Sequence, residues 1–498
     1  MPETIATKPS IPVGFTPEWV WGDDAETTVY AQGYGSGLTV IFRFKLDRDR
    51  PSTSLANRIV TCYHELDTSS PGDSFPDRES MREKLWDAVQ QVWPWCIKHP
   101  GIAGMDVVVD IDVLPNESAS WSVYHHPWFG KFVGLLRQAQ ATQAYLQSPS
   151  KTIDFESLTR FEQLGGRGCA TKVQTDPNSK DFFVFKGVDF RTFLTYYDEV
   201  ERGSSDTEEE EDDFTNLLKT WHHANDILTH IPAHPNIIPS PTTFVTIQEP
   251  PATRTRDESK AKDKMPVVCG CLYPFYANGD MGSRIETSCS ATGKQISLAL
   301  KARWCYEMAA AIKHTHLVAH TYHMDIKPGN FLIDDNEHLL LIDWEQSDAP
   351  CTTIAPEADG TWDVTEQKSA NGAPRLVYTK YEGPDRRNTE VDIGGRSWNL
   401  WNVFPLWAAE CPRALELAEV FSLGRSMWML LRQPDMDDWD EIEHPSDLVT
   451  EWMGTPGDVP EEWKGMVDRC MAIDPNERPG VVELTEFWEK VAVSVRNM

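Results

Sequence analysis

The sequence lacks several features that mark whole classes of protein. No stretch approaches about 18 consecutive apolar residues, which excludes a membrane-spanning helix of the usual length. The N-terminal ten residues contain no cationic segment followed by an apolar one, so we expect no secretory signal and an intracellular location, cytoplasmic or nuclear. The 46 Lys and Arg residues are outnumbered by 77 Asp and Glu residues. This balance argues against a general nucleic-acid surface, because phosphate neutralisation needs clustered cations, and it leaves a local basic groove open.

Metal-binding and redox cysteine motifs are also missing. The closest of the ten cysteines are Cys269 and Cys271, which one residue separates instead of the usual two, and no second pair lies nearby. We therefore interpret the cysteines as free thiols in a reducing compartment. The chain does have 498 residues, 40% of them hydrophobic. It is long enough for two or three domains and too apolar for wholesale disorder.

Residues 1–150 are predicted to form a small α+β domain of their own. Segments 27–32 and 38–45 alternate in the manner of strands, and the glycine-rich residues 33–37 between them favour a hairpin turn over a phosphate-binding loop. Similar patterns predict strands over 58–66 and 105–114 and helices over 80–96 and 128–146. No set of chemically reactive side chains stands out here, so the sequence assigns this region no function.

The most informative stretch is residues 323–334, which read His-Met-Asp-Ile-Lys-Pro-Gly-Asn-Phe-Leu-Ile-Asp. A predicted strand follows and ends at Asp343. Phosphoryl transfer from a nucleotide requires such a set: one carboxylate to receive a proton, a lysine to neutralise the moving phosphoryl group, and an amide and a second carboxylate as oxygen ligands for magnesium.

This spaced set resembles the eukaryotic protein kinase family, and its Asp-x-Lys-Pro form resembles the serine/threonine branch. The resemblance implies Asp325 as the catalytic base, Lys327 as a phosphate contact, and Asn330 and Asp343 as the metal ligands. It also implies ATP and Mg²⁺ as cofactors and a protein as the substrate. The motifs of the family extend over roughly residues 154–491, about two thirds of the chain.

The fold that the resemblance implies is an α+β, bilobal protein-kinase-like fold that follows the N-terminal domain. Its small lobe, residues 154–273, would be an antiparallel sheet with one helix, and its large lobe, residues 274–498, would be mainly helical. ATP would bind between them. Two polar segments are expected to be exposed loops, the acidic run 204–213 and the proline-flanked run 250–266.

The nucleotide-binding residues are implied by the order of motifs along the chain. Gly166, Gly168 and Val173 match the family's glycine-rich loop, in which backbone N–H groups approach phosphate oxygens. The third glycine of that motif is Thr171 here. Lys186 ends the next predicted strand, where the family places its phosphate-binding lysine.

The adenine and ribose contacts follow from the same comparison. Backbone groups of Leu272 and Tyr273 stand at the family's hinge, which binds adenine. Asp280 stands where a ribose contact is often found. A predicted amphipathic helix over residues 296–314 then leads to the catalytic loop.

Two late motifs complete the resemblance. Glu419 replaces the aspartate that anchors the catalytic loop from a helix below it. Arg478 lies in a motif whose arginine pairs with a carboxylate. We expect Asp385 to be that carboxylate, because Glu357, although it lies in a literal Ala-Pro-Glu, stands early in the chain; Glu410 is a third option.

The small-lobe helix departs from the family pattern. The predicted helix over residues 214–228 should carry a glutamate for Lys186, yet Ala224 or Asn225 stands at that place and Asp226 is one residue off. The activating ion pair of the family is therefore expected to be missing or altered.

Three further departures follow the catalytic loop. Met324 replaces the arginine that clamps a phosphorylated activation loop, so activity should not need such phosphorylation. Trp344 and Glu345 replace the Phe and Gly after the metal-binding aspartate, and residues 366–402 look like an inserted loop.

Three functions remain open at this point. An active serine/threonine protein kinase is favoured, since Lys186, Asp325, Lys327, Asn330 and Asp343 are all retained. The alternative is a pseudokinase, a nucleotide-binding or scaffold module, to which the departures point. A small-molecule kinase of the same fold is the weakest of the three.

Overall fold

Strands predominate in the first half of the chain and helices in the second. The computed structural model describes residues 13–14, 20–22, 26–33, 39–46, 57, 59–60, 105–113, 119–141, 143, 146, 151–164, 170–176, 178–194, 207–248, 266–289, 295–347, 349–368, 374–383, 403–434, 442, 445, 447–454 and 459–496. These residues belong to two compact units. One unit comprises Met1–Trp221 and Pro241–Phe275, and the other comprises His222–Ser240 and Tyr276–Met498. The fold class is α+β, as predicted.

The strands are β1 Val13–Gly14, β2 Val20–Gly22, β3 Glu26–Gly33, β4 Thr39–Lys45, β5 Val107–Val113, β6 Ala119–His125, β7 Thr152–Asp154, β8 Thr159–Gln163, β9 Ala170–Gln174, β10 Phe183–Gly187, β11 Thr243–Ile247, β12 Val267–Pro274, β13 Phe331–Ile333, β14 Leu339–Leu341, β15 Trp362–Lys368 and β16 Pro374–Lys380. The helices are α1 Phe129–Gln140, α2 Thr207–His230, α3 Met281–Cys289, α4 Leu298–Leu317, α5 Phe404–Glu410, α6 Pro412–Arg432, α7 Glu461–Cys470 and α8 Val481–Arg496.

The first unit contains two sheets. One has the strand order β1-β3-β4-β5-β6, with β2 paired to β3, and the other has the order β7-β11-β12-β10-β9-β8. Pairing is antiparallel throughout except between β4 and β5 and between β7 and β11. Alternating β-branched and aromatic residues favour these strands, because such side chains pack well on a pleated surface.

Both sheets of the first unit contribute side chains to one hydrophobic core. Helix α1 supplies Phe129 and Phe132, which pack against Phe190 with ring centroids 5.2 and 5.5 Å apart. Phe190 also stacks on Phe193. Aromatic clusters of this kind bury large apolar areas. Residues on either side of position 150 are therefore buried together.

Predictions for the N-terminal region are only partly confirmed. Strands over 27–32 and 38–45 are β3 and β4, and the strand over 105–114 is β5. The helix over 128–146 is confirmed but ends at Gln140. The strand predicted over 58–66 is wrong at Ile59 and Val60, which are helical, because periodicity does not distinguish a short buried strand from a helix. The helix predicted over 80–96 lies outside the described residues.

Two predicted loops contain regular structure. Thr207 begins helix α2, so the acidic run is helical from that residue onwards, where a loop was predicted. The inserted segment also begins in regular structure, since β15 and β16 form a hairpin that includes Glu366. Of the run 250–266, only Pro266 is among the described residues.

The core of the second unit is built around helix α6. Its side chains from Ala414 to Leu431 are buried almost without exception, and a helix that is buried on all sides must be surrounded by other elements. Helices α4, α5, α7 and α8 all contact it or each other. The short hairpin of β13 and β14 contacts helices α3 and α4, and the residues of the candidate site flank it in the sequence.

Candidate active site in the second unit

Asp325, Lys327 and Asn330 meet in one tight loop. A single helical turn, Pro328–Asn330, reverses the chain just after the lysine. Lys327 Nζ donates to Asp325 Oδ2 at 2.7 Å, and Asn330 Nδ2 donates to the same oxygen at 2.8 Å. Asn330 Nδ2 also donates to the backbone carbonyl of Asp325 at 2.8 Å. The sequence spacing thus brings these three side chains together.

Asp343 is held next to this loop by backbone hydrogen bonds. The preceding residue, Ile342, donates its N–H to the carbonyl of Asn330 at 3.0 Å. Its carbonyl accepts a hydrogen bond from His323 Nε2 at 2.7 Å. The charge of Asp343 is close enough to contribute to raising the pKa of Asp325. The four residues predicted from the catalytic motif are therefore neighbours.

Burial makes Asp325 an unusual carboxylate. Its removal from water raises its pKa to about 7, although Lys327 and Asn330 oppose the shift. Its second oxygen, Oδ1, is buried and has no hydrogen-bond partner among the described residues. A carboxyl group with a pKa near neutrality and one unpartnered oxygen is suited to accepting a proton from a substrate.

Two residues beside the site have left-handed backbone conformations. Met324 has φ 72° and Asp343 has φ 68°. Non-glycine residues rarely adopt this conformation, which costs on the order of 1–3 kcal/mol and is found preferentially at functional sites. Trp344 follows Asp343 and is buried, with its ring 4.8 Å from that of His323. The packing around Trp344 therefore fixes both segments.

Helix α6 also makes hydrogen bonds to the loop that carries Asp325. Glu419 Oε1 accepts hydrogen bonds from the backbone N–H groups of His323 at 2.7 Å and Met324 at 2.6 Å. Ser426 Oγ donates to the carbonyl of Ile326 at 3.4 Å. The longer glutamate thus makes the contacts expected of the family's aspartate, on the side of the loop just before Asp325.

Two residues that the sequence did not indicate, His316 and Gln346, also make hydrogen bonds around the site. His316 Nε2 lies 2.6 Å from Glu419 Oε2. Gln346 donates to the carbonyl of Tyr322 at 2.6 Å, and its Oε1 lies 2.8 Å from Nε2 of His223 on α2. No local signal could have found these two residues, because the side chains of Glu419 and His223 lie more than 100 residues away from them in the sequence and the third contact is to a backbone carbonyl.

The predicted nucleotide-binding residues of the first unit lie on neighbouring strands. Val173 is on β9, Lys186 on β10, and Leu272 and Tyr273 on β12. Lys186 is paired with Ala170 and Cys271 in the sheet. Val173 and Leu272 are buried in the hydrophobic core. Gly166 and Gly168 lie outside the described residues.

Asp280, the predicted ribose contact, belongs to the second unit. Its two carboxylate oxygens accept from the backbone N–H of Ser283 at 2.9 Å and from the hydroxyl of Ser283 at 2.7 Å. This is the arrangement of a residue that caps the N-terminus of helix α3. A structural role therefore accounts for both of its oxygens in this structure.

The predicted partner of Arg478 is wrong. The guanidinium group makes a two-pronged ion pair with Glu357, with N–O distances of 2.5 and 2.9 Å, instead of the expected pair with Asp385. Asp385 lies outside the described residues. Glu357, the last residue of the Ala-Pro-Glu sequence, is therefore the partner of Arg478. Folding brings the short turn Pro356–Asp359 next to Arg478, although the two lie far apart in the sequence.

Two comparisons with known proteins, one with family models and one with curated sequences, found no match. No protein-family model matches the chain, and no curated protein is similar enough in sequence to match it.

Among the described helices, none is long and apolar enough to cross a lipid bilayer. Within the described residues there is also no group of three or more His, Cys, Asp or Glu side chains that could hold a metal ion.

Proposed function

We propose that this protein transfers the terminal phosphoryl group of ATP to serine or threonine hydroxyls of protein substrates, and that it has a divergent bilobal kinase-like fold. The observation that carries the proposal is the state of Asp325. This buried carboxylate is held on one oxygen by Lys327 and Asn330, while its other oxygen has no partner among the described residues.

The chemistry assigned to each residue follows from its contacts. The substrate hydroxyl oxygen would form a bond to the terminal phosphorus, the bond from that phosphorus to the ADP oxygen would break, and Asp325 Oδ1 would receive the hydroxyl proton. Lys327, partly exposed beside Asp325, would neutralise charge on the moving group. Asp343, whose charge contributes to raising the pKa of Asp325, would supply the second carboxylate.

The donor set suits a magnesium ion. Asn330 is oriented by two hydrogen bonds from its Nδ2, which leaves Oδ1 as its coordinating atom, and Asp343 supplies carboxylate oxygens. Magnesium prefers such hard oxygen ligands and completes its shell with water and phosphate oxygens. When bound, it would neutralise the phosphates of ATP.

The test is transfer of radiolabelled phosphate from Mg–ATP to a generic acceptor protein. Wild-type protein should transfer label. Asp325→Asn should reduce transfer by at least about a hundredfold, because general-base catalysis accelerates a reaction by about 10²- to 10⁴-fold. Asp335→Asn, an exposed aspartate in the neighbouring turn, is the matched control and should retain transfer. Absence of transfer by wild type, or undiminished transfer by Asp325→Asn, would refute the proposal.

A second candidate is a pseudokinase that binds nucleotide without turnover. It is favoured by helix α2, where Ala224 and Asn225 occupy the place expected for the family's glutamate and are both buried. A thermal shift with ATP distinguishes the candidates. Stabilisation by ATP that does not need magnesium, without any transfer of label, would support the pseudokinase.

A further inference from the structure

A carboxylate lies beneath the catalytic loop with no access to solvent. Glu419 is 0% exposed, and both of its oxygens are used. Oε1 accepts hydrogen bonds from the backbone N–H groups of His323 and Met324, the two residues that precede Asp325. Oε2 faces Nε2 of His316, which projects from the last turn of helix α4. The hydrogen bonds to the loop and the contact with His316 therefore involve opposite oxygens of one carboxylate.

A buried carboxylate needs a counter-charge, and His316 supplies it. The side chain of His316 is only 8% exposed, and the two groups form an ion pair at 2.6 Å. Burial by itself lowers the pKa of His316, but Glu419, together with the charge of Glu416, outweighs burial and raises it. Burial likewise acts to raise the pKa of Glu419, yet His316 and the N–H of Met324 outweigh it and lower that pKa. Each group thus stabilises the charged form of the other.

The extra methylene of glutamate explains why a second anchor matters here. A glutamate has one more rotatable bond than the aspartate that the family uses at this place, so more side-chain freedom must be lost to align its oxygen with two N–H groups. The hydrogen bond from His316 fixes the far oxygen of Glu419 and thereby the orientation of the near one. Without it, Glu419 would keep its two backbone hydrogen bonds but would lose its counter-charge and the contact that fixes its second oxygen.

We infer that His316 is a positioning residue for catalysis: from helix α4 it orients Glu419, and Glu419 in turn sets the backbone that carries Asp325. The inference rests on the proposed function, because it assigns His316 a part in the same reaction. His316 contacts neither the proposed metal ligands nor Asp325. Its effect should therefore appear in the rate of transfer rather than in nucleotide binding.

The experiment compares three substitutions in the full-length chain. His316→Leu removes the hydrogen-bond donor and should lower kcat about 10- to 100-fold, the loss that a misplacement of about 1 Å can cause, with KM for ATP changed less than about threefold. His316→Gln keeps a donor and should restore part of kcat. His314→Leu changes a histidine on the same helix whose ring bonds to the carbonyl of Pro232, and should leave kcat unchanged.

Hydrogen exchange provides a readout that does not depend on activity. In His316→Leu, the backbone N–H groups of His323 and Met324 should exchange faster than in wild type, and His316→Gln should slow them again. If His316→Leu does not fold, as judged by its thermal unfolding, His316→Asn replaces it, since asparagine is too short to reach Glu419.

The outcomes separate this inference from the proposed function. If the wild type transfers no phosphate, the proposed function fails, and the exchange rates still test the link from His316 to the loop. If the wild type is active and the His316→Leu or His316→Asn variant keeps both its kcat and its exchange rates, the inference is overturned. A fall in kcat that His316→Gln does not relieve would also contradict it.

Discussion

Replacement of Glu357 should destabilise the second unit more than any surface substitution. Arg478 is fully buried, and Glu357 is its carboxylate partner. The guanidinium group also donates to the carbonyls of Leu417 at 3.1 Å and Ala472 at 2.9 Å, and it lies 4.8 Å from the ring of Phe421. Glu357→Ala leaves these neutral contacts in place but removes the charge that compensates a buried cation.

The magnitude follows from that geometry. Breaking a buried ion pair by removing one partner costs about 3–5 kcal/mol, because the other charge remains desolvated. Glu357→Gln keeps one acceptor oxygen and loses the charge, so it should cost roughly 1.5–3 kcal/mol, the contribution of a hydrogen bond to a charged group. For a unit of this size each kcal/mol lowers Tm by about 2–4 °C, which gives a loss of about 6–20 °C for Glu357→Ala.

Differential scanning calorimetry of the full chain measures these shifts. Glu410→Gln is the matched control, since Glu410 is exposed on helix α5 and the substitution should change stability by less than about 0.5 kcal/mol. Asp385→Asn tests the partner that the sequence suggested. If Asp385→Asn lowers Tm by several degrees while Glu357→Ala behaves like the control, the pairing seen here and the reasoning from it are refuted.

Three further predictions concern the same unit. Because burial raises the pKa of Asp325 to about 7, phosphate transfer should fall about tenfold per pH unit well below pH 7, which a pH–rate profile checks. Between pH 3.8 and about 7, Asp325 is ionised in the unfolded chain but protonated in the folded one, so the fold should become less stable as the pH rises through this range. Thermal unfolding at several pH values measures this second effect. Because Met324 replaces the arginine that binds a phosphorylated loop, phosphatase treatment should leave transfer unchanged, and a loss of transfer would contradict this. Gly424→Ala should cost about 1–3 kcal/mol in urea unfolding, because its Cβ would lie 2.6 Å from Cys470 Cβ. Gly465→Ala, with no atom within 4 Å of the added Cβ, is its control.

Replacement of Asp325 should affect stability and activity in opposite directions. Asp325→Asn removes the ionisation that burial makes unfavourable, so this variant should be at least as stable as wild type at neutral pH while its transfer is lost. Such an exchange of stability for activity is common where a site keeps a strained or desolvated group. A variant that lost both would indicate that Asp325 is needed for folding.

Contacts between residues that are close in the sequence could be predicted from the sequence alone. Asp325, Lys327 and Asn330 lie within six residues, and a proline-led turn brings them together without help from distant segments. The strand leading to Asp343 and the helix over residues 296–314 could likewise be predicted from their apolar patterns, and the structure contains both. By contrast, the loop predicted for the acidic run 204–213 is wrong from Thr207 onwards, because composition alone does not distinguish a solvated loop from a helix rich in charged residues.

The sequence by itself determined an α+β chain and the motif of four side chains for which a catalytic role is proposed. Only the tertiary structure decided which distant groups pair: Glu357 with Arg478, His316 with Glu419, and Gln346 with His223 on helix α2. The members of each pair lie more than 100 residues apart in the sequence. At such separations the spacing places almost no constraint on which side chains meet, since the cost of closing a loop changes only slowly with its length. The partner of a buried charge is therefore set by the packing of helices and turns, which the order of residues along the chain does not reveal.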